Sequence, residues 1–215
     1  MFKNAFDGIK KIYKGEILSM IATVLSVVGG ILGISGLQAG EGTSSGDSLL
    51  VIAGILVIVA GVIAVIAVVL NVSGVTRASK DEAAFKSALL ALGVGFAANL
   101  LITIFSKNQT IGSIGKTVAT VAEMMASYFI CTGVINLADR IGNKAVSERG
   151  KKIRTLLMGI WLVSAVLNAL TAIFQGNQTM EGIIVILAVV GGIVSIVAYF
   201  LYIGLLGRAK KMLEN

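Results

Sequence analysis

Ionisable side chains leave six long gaps in this sequence: Glu16 to Glu41, Asp47 to Arg77, Lys86 to Lys107, Lys116 to Asp139, Arg154 to Glu181 and Glu181 to Arg208. Each holds at least the roughly 17 to 25 residues that a helix needs to cross a hydrocarbon core of about 30 Å. Only Glu123 interrupts one of them. With 56% of residues hydrophobic and 13% charged, where soluble domains run near a quarter charged, most of the chain is unsuited to water. A backbone in lipid must satisfy its own hydrogen bonds, which leaves helices or a closed barrel. Barrel strands alternate in polarity over about 10 residues, and runs such as LLVIAGILVIVAGVIAVIAVVL do not.

The expected fold is therefore an all-α integral membrane protein, a single membrane domain over residues 1–215 with six transmembrane helices. The crossings read as roughly 17–38, 48–75, 86–106, 112–138, 154–175 and 182–207. Proline is absent, which removes the commonest cause of helix kinks, so continuous helices are expected. Lys3, Lys10, Lys11 and Lys14 resemble the positive region of a signal peptide, but they are spread over a long segment and the run behind them has repeat partners. Retention of the first helix is the expectation. Phe2, Phe6, Ile9 and Tyr13 follow helical spacing among those lysines, which predicts an amphipathic entry helix over 1–14 on the cytoplasmic leaflet.

Basic residues fix the orientation. The N-terminus, TRASKDEAAFK, DRIGNKAVSERGKKIR and the tail GRAKKMLEN carry 16 Lys and Arg, against two, Lys107 and Lys116, on the other side. The positive-inside rule then puts both termini in the cytoplasm of a cell in whose membrane the chain is multi-pass. The same charges carry no aromatic interleaving or nucleic-acid motif, so a nucleic-acid partner is not expected.

Internal similarity organises the crossings. Asn99, Phe105 and Asn108-Gln109-Thr110 recur 69 residues later as Asn168, Phe174 and Asn177-Gln178-Thr179, and Tyr128-Phe129 recurs as Tyr199-Phe200. Lys10-Lys11-Ile12 anticipates Lys151-Lys152-Ile153, and Tyr13-Lys14 anticipates Phe85-Lys86. Three tandem helical-hairpin repeats of about 70 residues follow, over approximately 10–80, 81–150 and 151–215. The NQT triplets also fit the N-glycosylation pattern, although turn formation and helix capping explain them more plainly. Small residues such as Gly29 and Gly33, or Ala53, Ala60 and Ala67, point to close helix packing.

Few side chains are candidates for chemistry. Glu123 lies seven residues from Lys116, about 10 Å inside the outer boundary, where a carboxylate costs roughly 2.5 to 3.5 kcal/mol. Lys116, Thr120, Glu123 and Ser127 share one helix face, a polar stripe that fits a ligand or ion path. Asn99 and Asn168 hold equivalent places in the third and fifth crossings and fit either interhelical hydrogen bonding or the lining of the same cavity. Histidine is absent, Cys131 is single, and no hydrolase, intramembrane-protease or phosphate-loop motif is present. No catalytic residue, metal or cofactor is expected, and the chain does not read as an enzyme. Two functions compete: a polytopic protein that binds or translocates a small solute or ion through its bundle, and a non-transporting subunit or scaffold that assembles with a partner protein or with copies of itself.

Overall fold

The computed structural model describes residues 2–39, 44–105, 109–173 and 178–214, without the side chains of 109–111, 113, 168, 169, 171–173, 178–181, 184, 185 and 188. It contains α1 (Lys3–Ala39), α2 (Ser44–Ala78), α3 (Ala84–Ile104), α4 (Gln109–Ile141), α5 (Lys144–Ile173) and α6 (Gln178–Glu214), and no strand among the described residues. Five segments are long and apolar enough to cross a membrane: α1, α2, α3, Ile114–Ile141 of α4 and Val189–Glu214 of α6. They suggest a multi-pass membrane protein. The sixth expected crossing, 154–175, runs beyond the described residues, and α5 is not among the five. The side chains of Asn168 and of the two NQT turns also lie outside the described residues.

Most helices are longer than a bilayer requires. The 37 residues of α1 rise about 55 Å, well beyond a hydrocarbon core of about 30 Å. The basic segments are the surplus. What reads in the sequence as a long basic link, DRIGNKAVSERGKKIR, is almost entirely helix, split only at Gly142 and Asn143. Gly142 has φ +78°, the left-handed conformation that ends helices, and its N–H and that of Asn143 donate to Asp139 and Ala138 carbonyls at 3.1 and 2.8 Å. The Asn143 side chain then accepts from the Val146 N–H at 3.1 Å, capping α5. Likewise the expected entry helix is the first part of α1 and continues into its apolar run without a break.

The chain forms two compact units, residues 10–74 and residues 1–9 with 75–215. The first is the hairpin of α1 and α2. Its buried seam is built from residues seven apart: Gly15, Ala22, Gly29 and Gly36 on α1, and Gly46, Ala53, Ala60, Ala67 and Gly74 on α2. A heptad of glycine and alanine lets two backbones approach closely, which is how helices associate where apolar burial offers no drive. A Cβ added to Gly29 would stand 3.3 Å from the Ala53 carbonyl oxygen, and one on Gly36 3.1 Å from that of Gly46. Large residues such as Val24, Ile31, Ile55 and Val62 point outward. At the seam's polar end Asn71 donates to Glu16 at 3.2 Å, and Lys11 donates to Ser73 at 2.8 Å.

In the second unit α4 packs against α3, α5 and α6. Near the basic connections its core uses full-sized side chains: Phe85, Val134, Leu137, Leu205 and Leu206 are fully buried. Polar links hold the same end. Asp81 accepts from the Ala5 N–H at 2.8 Å and from the Asn4 amide at 3.0 Å, so a residue of the α2–α3 turn caps the N-terminus of α1. Arg77 pairs with Asp7 at 2.9 Å. Glu82, 4% exposed, pairs with Arg140 at 2.7 Å and accepts from Asn136 at 2.9 Å. Toward the other end of α3 and α4 packing passes to small residues: Gly95 faces Ala122, and Gly115 faces Ile102 and the Ala98 carbonyl.

Candidate functional site

Among the five candidate spans, that of α4 is the least apolar and the most buried: 44% of its window is covered, against 11% or 22% in the others. The two properties belong together, because polar side chains at membrane depth are tolerated where protein or a cavity surrounds them. Its small face, Ala119, Ala122 and Ala126, is buried in the packing. The polar stripe borders a cleft.

The cleft lies among α4, α5 and α6, with a volume of about 420 Å³. Thr120, Glu123, Ser127 and Tyr128 line it from α4, Arg154 and Trp161 from α5, and Ser195 and Tyr199 from α6. Glu123 and Thr120 are exposed at its mouth, whereas Ser127, Tyr128, Arg154 and Ser195 are partly covered. Among the described residues neither Glu123 nor Arg154 has an ion-pair partner. The Arg154 guanidinium stands 5.3 Å from the centre of the Tyr128 ring, a cation–π distance, and donates to the Thr132 hydroxyl at 3.2 Å. With five N–H donors, it keeps others for a further acceptor.

Each threonine and serine hydroxyl of the lining has its proton engaged by the helix that carries it. Thr120 donates to the Lys116 carbonyl at 2.8 Å, Ser127 to that of Glu123 at 3.2 Å, and Ser195 to that of Gly191 at 2.8 Å. A hydroxyl bonded back in this way has only lone pairs left to offer. Beside Glu123 on α4, Thr120 and Ser127 therefore offer acceptors, while Tyr128, Trp161 and Tyr199 bring O–H and N–H groups to the same lining. Arg154 offers donors only.

Of the residues singled out in the sequence, Thr120, Glu123 and Ser127 come together here. Lys116, on the same face, is exposed one turn away and takes part only through its carbonyl. Asn99 is exposed on α3, away from the cleft lining, and its carbonyl accepts from Thr103 at 3.0 Å. Arg154 escapes the sequence reading because it is the last charge before an apolar run, and a run boundary does not say which way a side chain points. Tyr128 and Tyr199 carried a signal, since each opens a Tyr-Phe pair in the sequence, and both line this one cleft. Among the described residues no cluster of metal-ligating side chains occurs. No family model, curated protein or solved structure matches the chain.

Proposed function

We propose that the protein is a six-crossing membrane protein that binds or translocates a small solute or ion through the bundle of α3 to α6, with both termini cytoplasmic. The observation that carries this reading is the cleft at Glu123. An intramembrane acid beside a cavity is the ordinary arrangement of a ligand or ion path, whereas an acid used only to join helices would be enclosed in packing. The sixth crossing is supported by the uncharged stretch from Arg154 to Glu181, and the hairpin repeat by the small-residue seams of the α1–α2 and α3–α4 pairs.

Co-purification from native membranes followed by mass spectrometry tests the binding reading. A low-mass species should accompany the wild type and be lost from Glu123→Gln at unchanged thermal stability. Equal retention by both proteins, or none by the wild type, counts against it. The alternative, a non-transporting subunit or scaffold, is favoured by one feature of the 10–74 unit: Gly30, Gly54 and Gly61 are exposed with open space where a Cβ would stand. Such notches fit a partner helix. A stable hetero-complex surviving mild detergent, with no small molecule in it, would favour this alternative.

A further inference from the structure

We infer that the α4–α5–α6 cleft takes a small zwitterion, its ammonium toward Glu123 and its anionic group toward Arg154. This rests on the binding reading above and assigns its substrate class. Three observations carry it. First, opposite charges line one cleft without pairing to each other, and each is costly at membrane depth until something compensates it. A ligand of a single charge would answer one end and leave the other uncompensated.

Second, the hydrogen-bonding character of the two ends differs in the sense a zwitterion requires. On α4 the engaged hydroxyls of Thr120 and Ser127 flank the Glu123 carboxylate as acceptors, which suits a group that only donates, such as an ammonium. Arg154 only donates, which suits a carboxylate or phosphate. Third, the two charges are separated along α4. Tyr128, beneath the guanidinium, is five residues along α4 from Glu123, about 7.5 Å of helix rise. An ammonium and a carboxylate about 3 Å apart, each making a charge-assisted bond of about 2.8 Å, span about 8.6 Å, the same order as that rise. Tyr128, Trp161 and Tyr199 supply flat walls for the apolar remainder.

The charge pair occurs both on free amino acids and on aminophospholipid headgroups, and the test separates these sources. Purified full-length protein in a non-ionic detergent is titrated with the neutral amino acids, their N-acetyl derivatives, their amides, dihexanoyl phosphatidylethanolamine and sodium chloride, reading the shift in melting temperature. At least one zwitterion should stabilise the wild type, with its two singly charged analogues at least tenfold weaker. Response to amino acids identifies a free solute, and response to the short-chain lipid alone identifies a headgroup. Glu123→Gln should abolish the preference for the zwitterion over its N-acetyl analogue but keep that over its amide. Arg154→Gln should do the converse. The comparison of analogues on the wild type stands even if a variant fails to fold. Stabilisation by amides or sodium as strong as by any zwitterion overturns the zwitterion while leaving the binding reading. No stabilisation by any probe overturns both.

Discussion

At the residue scale, close packing and buried charge decide which positions tolerate change. Gly15 is a sharp case, because a Cβ there would fall on the Asn71 side-chain oxygen and within 3.0 Å of the Ala67 carbonyl oxygen. Gly15→Ala should displace Asn71 from Glu16 and destabilise the hairpin by about 1 to 3 kcal/mol. Asn71→Ala in the same chain should return part of that loss, so chemical unfolding of the double variant should depart from additivity. Strict additivity would place the clash elsewhere. The Glu82–Arg140 pair makes a second contrast. Arg140→Ala leaves a buried carboxylate without its cation and should cost about 2 kcal/mol or more, whereas Glu148→Ala, which breaks an exposed pair with Lys151, should cost under about 1 kcal/mol. Equal losses in thermal unfolding would mean that Glu82 finds other compensation.

At the element scale the helices were legible and their partners only partly so. Charge-free gaps marked the apolar runs because a bilayer imposes a minimum length, and as far as the residues are described the expected crossings fall within helices, except that the third overruns α3 at Phe105, its C-cap. The ends were missed for a physical reason: basic, amphipathic sequence carries no bilayer signal, so DRIGNKAVSERGKKIR reads as a link although helix passes through it on both sides of Gly142. The cue was local, a Gly-Asn pair between two helical patterns. The Ala53, Ala60 and Ala67 heptad was visible, yet its partner series on α1 mixes glycine with alanine and emerges only when burial is known. Ala60→Leu should therefore separate α1 from α2 and lower stability by about 1 to 3 kcal/mol, while Gly54→Leu, on the open face, should not. Equal melting temperatures of the two variants in detergent would contradict the seam.

At the scale of the whole molecule, topology is the testable quantity. With Cys131→Ser as background, a cysteine at Ser45 should react with an impermeant maleimide in intact cells and one at Asn143 should not; the reverse pattern would invert the orientation. Wild-type Cys131, fully buried in α4, should label only after denaturation. What the sequence by itself determined is what the solvent dictates: a helical chain with apolar stretches of bilayer length and one misplaced acid at Glu123. These follow from the cost of exposing charge and unbonded backbone to lipid, and that cost is set by composition along the chain. Only the tertiary structure decided that Arg154, Trp161, Ser195 and Tyr199 share a cleft with Glu123, and that Asn99 is exposed away from it. In a bundle of apolar helices the rotation of each helix about its axis depends on which small faces interlock, and that is a property of pairs of helices.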